Sequence, residues 1–240
     1  MFPVLAGAIA DPEIRPAITR TLAKRPPWSA LFIEYAAANS PDPRATSVLF
    51  GDLVRTGYPI SEVSRTLLID TLASRGLFDD AWSFYVSFRR GADRRRSRDP
   101  EITADLVHPT IFDWRTVTDG GISASLQRGM LDFAAPSSVG GTLVEQVQFL
   151  PPGQYRIAGH SIGIDQPPGS SPYWQLRCHD GRELGRTDVP NSASANGNFV
   201  GRFTVPTGCP TQILALIAKP ADAISGISGQ IDRVSLSPLR

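Results

Sequence analysis

The chain has 240 residues, 41% hydrophobic and 20% charged, with a net charge of +1. This composition fits one large or two ordinary globular domains and excludes a disordered chain. The near-neutral balance gives no general attraction to nucleic acid, and no apolar run approaches the roughly 18 residues of a membrane span.

Residues 1–98 read as a helical domain. The opening MFPVLAGAIAD is apolar but has no basic region before it, a poor match to a signal peptide. Pro12, following Asp11, suits the first turn of a helix. Leu31, Phe32 and Tyr35 recur at helical spacing, and a further helix over 48–56 stops at Gly57. Ser61 is a good N-cap for a helix ending before Gly76. A last helix over 79–90 turns Ala81, Trp82, Tyr85 and Val86 inward. Gly76, Ala81 and Tyr85 give this final pair a resemblance to a tetratricopeptide-type hairpin, although Phe88 departs from that pattern. Such helices would leave a face for a protein partner.

Arg89, Arg90, Arg94, Arg95, Arg96 and Arg98 cluster around Gly91 and Asp93. No aromatic residue is interleaved, so they are expected to be a solvated boundary, with a linker over 99–110 and no nucleic-acid contact. Lys and Arg outnumber Asp and Glu by 14 to 11 in residues 1–99, but number 10 against 12 in residues 100–240.

From 111 to 240 the pattern changes to short alternating runs at 122–126, 130–133, 143–150, 154–162, 173–179, 199–205, 212–219 and 230–236, separated by Gly, Pro and Ser turns. Strands without intervening helices predict an antiparallel β-sandwich of jelly-roll type. The runs flanking Pro151, Pro152 and Gly153 read as a hairpin, with Leu143, Val147 and Phe149 on one face. Strand alternation then places Gln146, Gln148, Arg156, His160 and Arg202 outward, together with Tyr173, Gln175, Arg177 and His179.

Gly159 to Gly163 spells the Gly-x-Ser-x-Gly pentapeptide of serine hydrolases around Ser161. That chemistry needs a helix immediately after the serine. Pro167, Pro168 and Gly169 forbid one here, so the pentapeptide is expected to be strand and turn. His108, His160 and His179 lack paired metal-ligand spacing. Glu145, Asp165, Asp180, Glu183, Asp188 and Asp232 supply carboxylates, read as surface acids rather than a glycosidase pair. Cys178 and Cys209 are either two buried thiols or a disulfide, the preferred reading, which would point to a periplasmic or other extracytoplasmic setting.

The segments FDW (112–114), GGISASL (120–126), EQVQFLPPGQYRIAGHS (145–161), YWQLRCHDG (173–181) and IDRVSLSP (231–238) resemble, in order, non-catalytic carbohydrate-binding modules of the galactose-binding-like jelly-roll type. With the helical segment ahead, the chain is also similar to bacterial envelope polysaccharide-associated proteins. The resemblance implies a polysaccharide ligand, a final strand pairing back near the start of the domain, and calcium near the first and last strands. For such a ligand the outward Gln146, Gln148, Arg156, His160, Gln175, Arg177 and His179 are the candidate hydrogen-bonding contacts and Tyr173 an exposed aromatic platform. Asp232 matches one calcium position without a clear second, so no cofactor is expected. The alternative is a structural module that assembles with protein rather than glycan.

Overall fold

The computed structural model describes residues 1–89, 91–118, 120–167, 169–220 and 226–239. Arg90 of the basic cluster and Pro168 behind the pentapeptide lie outside the described residues. The chain forms two compact units, Met1–Gly91 and Ala92–Arg240.

The first unit has six described helices: α1 (Phe2–Ala8), α2 (Arg15–Ala23), α3 (Ser29–Asn39), α4 (Pro43–Arg55), α5 (Glu62–Ser74) and α6 (Phe78–Val86). Ser61 caps α5 as expected, its Oγ accepting from Ser64 N at 3.1 Å. The helix expected over 48–56 starts earlier, because Asp42 accepts from Ala45 N at 3.1 Å and Pro43 suits the first turn. Pro12 does not begin a helix. Asp11 Oδ1 instead accepts from Glu13 N at 2.8 Å, holding a turn before α2. Positive φ at Gly57 (81°) and Gly76 (73°) ends α4 and α5. Phe32, Leu49, Phe50, Leu53, Leu68 and Leu72 are fully buried. Helices α5 and α6 pack together, and α5 packs on α3 as well.

The second unit has ten described strands: β1 (Arg115–Thr116), β2 (Ser123–Gln127), β3 (Met130–Ala135), β4 (Gly141–Gln148), β5 (Gly153–Ile162), β6 (Tyr173–Cys178), β7 (Glu183–Asp188), β8 (Asn198–Val205), β9 (Gln212–Ala218) and β10 (Ile227–Pro238). They form two antiparallel sheets, β1-β4-β9-β6-β7 and β2-β3-β10-β5-β8. One hydrophobic cluster joins them: Val144, Trp174, Leu176, Leu214 and Leu216 from the first sheet meet Leu131, Phe133, Ile157, Phe203 and Leu236 from the second. This is the layering of a β-sandwich. The final strand does return to the start of the unit: Ser97 N donates to Leu236 O at 2.9 Å and Val234 N to Pro100 O at 2.8 Å. Residues 97–102 therefore pack onto the sandwich, with Ile102 in its core, although the sequence pattern assigns 97–98 to the helical domain and 99–102 to the linker.

Two expectations change. The β4–β5 hairpin does not exist, since these strands belong to opposite sheets. Neither Pro151 nor Pro152 has an N–H to continue a ladder. The chain instead crosses from one sheet to the other there, pinned by a 2.7 Å bond from Tyr155 Oη to Pro151 O. The phase of β4 also shifts. A bulge between Thr142 and Val144 puts both Leu143 and Val144 inside. From that point Gln146 and Gln148 face the core at 0% exposure, and Val147 lies on the outer side.

Candidate functional site

The outer face of the first sheet collects the largest group of expected site residues. The register aligns Arg115, Glu145, Ala215, Gln175 and Arg186 across the five strands. The adjacent row is Val147, Ile213, Arg177 and Glu183, and on the other side Ile217, Tyr173 and Asp188 align. The floor is thus apolar, with buried Ala215 between half-buried Ile213 and Ile217. Around it the charges are matched. Arg186 donates through Nε and Nη2 to both oxygens of Glu183 at 2.7 and 2.8 Å, and Gln175 Nε2 reaches Glu183 at 2.8 Å. Lys219 donates to Asp188 at 3.2 Å, and Arg177 approaches Glu145 at 3.9 Å.

The Arg186 hydrogen bond, reinforced by Gln175, holds the Glu183 carboxyl below its ordinary range despite slight desolvation. A glycosidase acid needs the opposite shift. Tyr173 is not the open platform expected from alternation. It is buried, with Arg186 and Lys219 over its ring at 4.9 and 5.0 Å. His179 lies just past β6 in the turn to β7 and is exposed.

Arg156 and His160 occupy the outer face of the other sheet, so the structure does not bring them together with Tyr173, Gln175 and Arg177. Arg156 stands directly opposite Arg202 on β8, and both are exposed. His160 Nδ1 and Asp232 Oδ1 are 2.8 Å apart beside a bulge in β10. Asp232, the residue offered for calcium, therefore has a histidine partner. Among the described residues no group of three or more His, Cys, Asp and Glu is placed to hold a metal ion.

The pentapeptide is strand, as its prolines require. Ser161 is 1% exposed, within bonding distance of Ser192 Oγ at 3.1 Å and of Gly197 O at 3.3 Å. It points inward, away from His160 on the outer face. Its glycines answer to the sheet. A Cβ on Gly159 would lie 2.3 Å from Phe199 Cζ and 2.4 Å from Arg233 O, and Gly163 turns the chain at φ 71°.

Gln146 and Gln148 are removed from either outer face by Arg98. This arginine, read as part of a solvated cluster, is buried. Its Nε donates to Phe112 O at 2.9 Å, its Nη1 to Gln148 Oε1 at 3.0 Å, and its Nη2 to Val147 O. Gln146 exchanges bonds with the Arg98 main chain at 3.1 and 3.2 Å. The two glutamines are structural ligands of a buried guanidinium. Cys178 and Cys209 form a disulfide, tying the end of β6 to the segment before β9.

Sequence reasoning missed Lys219, which ends the expected run at 212–219 but was not offered as a site residue, and Arg186, because strand β7 was not read at all. Its Gly185 and alternating charges resemble a turn, and only the i to i+3 spacing of Glu183 and Arg186 hinted at order.

No protein-family model matches the chain, and no curated protein matches it. Among solved structures it is similar to a CBM4 carbohydrate-binding module at 13% identity and TM-score 0.41, covering 61% of this chain and 99% of that one. TmCBM61, solved with beta-1,4-galactotriose, is 14% identical with TM-score 0.36, over 52% of this chain and 88% of that one. The Glycosylation Associate Protein (Gap123) complex from Streptococcus agalactiae is 11% identical with TM-score 0.34 over 52% of this chain. The match spans 43% of that chain, less than half its length.

Proposed function

We propose that this chain is a non-catalytic carbohydrate-binding protein of an extracytoplasmic compartment, with the outer face of the first sheet as its glycan surface. The observation that carries the reading is the charge-matched frame of Glu145, Arg177, Gln175, Glu183 and Arg186 around the Ile213–Ala215–Ile217 floor. Carboxylates accept from sugar hydroxyls, guanidinium and amide groups donate to them, and the floor suits the C–H face of a pyranose. Because the charges cancel in pairs, the surface favours a neutral glycan over a charged one. Gln175 and Arg177 are the central contacts, with His179 at the rim. The Cys178–Cys209 disulfide supports the compartment.

Calorimetry of the full chain against a panel of neutral oligosaccharides tests this. Binding should weaken about tenfold in Gln175→Ala and in Arg177→Ala, the effect of losing one charge-assisted or bidentate contact. A panel with no binder would refute the reading.

A second reading, assembly with a protein partner through the tetratricopeptide-like helices, draws on the exposed apolar side chains of Val4 on α1 and Leu31 on α3. It predicts a partner retained without any glycan and lost in Leu31→Asp.

A further inference from the structure

The second sheet's outer face carries an arrangement that the glycan reading of the first does not use. Arg156 on β5 and Arg202 on β8 are register partners in an antiparallel pair, so their Cβ atoms stand about 5 Å apart on one face. Both are exposed, and no hydrogen bond or ion pair from the described residues reaches either guanidinium. Like charges directly opposite one another destabilise a strand pair. The acids on this face are engaged elsewhere: Asp232 faces His160, and Asp132 accepts from Gln230 Nε2 at 2.9 Å.

The pair sits among neutral hydrogen-bonding groups. Ser237 flanks Arg156 on β10, and Gln154 and Thr204 form the exposed row two residues along. In the other direction come Ala158 and exposed Val200, then His160 and Arg233 about 14 Å from Arg156 by strand rise.

We propose that Arg156 and Arg202 form a clamp for a carboxylate of a uronic-acid polysaccharide. Two guanidinium forks on a rigid sheet match a planar carboxylate in bidentate geometry. The surrounding hydroxyl and amide groups suit the ring hydroxyls on either side of it. The clamp is local: residues 100–240 hold 10 Lys and Arg against 12 Asp and Glu. Nucleic acid and anionic bilayers instead need several phosphate-neutralising cations along a track. This site is independent of the neutral-glycan surface, which lies on the other sheet.

The test is calorimetry of the full chain with polygalacturonate, with its fully methyl-esterified form as the uncharged control, and with single-stranded DNA and phosphatidylglycerol vesicles as separate arms. Polygalacturonate should bind, with affinity falling as salt rises and at least tenfold weaker binding of the ester. Arg156→Gln and Arg202→Gln should each weaken it about tenfold, with melting temperatures no lower than that of the unaltered chain. Arg177→Ala should leave it unchanged. The proposal is overturned if polygalacturonate does not bind, if both Gln variants bind it normally, or if DNA or vesicles engage these arginines in its place. Loss in Arg177→Ala but not in the Gln variants would also overturn it, moving the charged ligand to the first sheet. Failure of every neutral glycan would leave this site standing and refute only the other.

Discussion

Replacing Arg98 by methionine tests how the start of the second unit is bound to its sheet. Methionine keeps much of the buried stem and removes the guanidinium, leaving Phe112 O, Val147 O and Gln148 Oε1 without their donor. Arg98 is 8% exposed and Gln148 fully buried, so water does not easily replace what is lost. Each orphaned buried acceptor costs about 1–3 kcal/mol, which after partial relaxation suggests about 3–5 kcal/mol in all. That is a large share of the roughly 5–15 kcal/mol that holds a domain folded. Hydrogen exchange of β4 and β9 amides under rising urea reads this loss without interference from the helical unit. A second arm combines Arg98→Met with Gln148→Leu. If the two side chains form one network, the double variant should lose at least about 1 kcal/mol less than the sum of the singles. A loss under about 1 kcal/mol for Arg98→Met, or strict additivity, would refute the network.

Further expectations follow from single residues. Opening the Cys178–Cys209 disulfide, which closes a separation of 31 residues, should cost about 3–4 kcal/mol; equal unfolding midpoints for the chain and its Cys178→Ala, Cys209→Ala variant would contradict this. Gly159→Ala should destabilise by about 2–3 kcal/mol or more, since Arg233 O is main chain and cannot swing aside; a midpoint shift too small to resolve would show that the strands can part. Carboxyl NMR should find Glu183 titrating below an ordinary glutamate, and Arg186→Gln should return it toward that range. Because the folded-state pKa is the depressed one, its contribution to stability is present above the unfolded value and is lost as pH falls through the folded value. An unchanged titration in Arg186→Gln would remove the arginine as the cause.

Much of the sandwich was legible because its strands alternate, and all eight expected runs are strands. What failed did so for identifiable reasons. Alternation assumes an unbroken period of two, and the bulge at Leu143 reverses the phase of everything after it in β4. An amide reads as surface unless its buried partner is visible, and Arg98 lies 48 residues before Gln146 and 50 before Gln148. A turn of two prolines and a glycine looks like a hairpin whether the chain returns beside itself or crosses to the opposite sheet. Strand pairing, not local pattern, separates the cases. The same fact divides the expected site, since Arg156 and Arg177 share an outward orientation but not a sheet.

The strongest competing account of the Arg156–Arg202 pair is protection of an edge. β8 ends its sheet, and a charged edge strand discourages pairing with another molecule. That account explains Arg202 alone. β5 is interior, and a glutamate at position 156 would leave the edge equally charged while turning repulsion into an attractive pair worth roughly 0.2–1 kcal/mol. The other sheet follows that economical pattern: edge strand β7 carries Glu183 bonded to its own Arg186 and to Gln175 on β6. An unrelieved pair in one sheet beside matched charges in the other is what a site waiting for an anion requires, and what mere edge protection does not. Arg156→Glu decides between them. It should raise stability by up to about 1 kcal/mol and abolish polygalacturonate binding. A variant that gains stability yet binds as before would mean the pair is edge chemistry only.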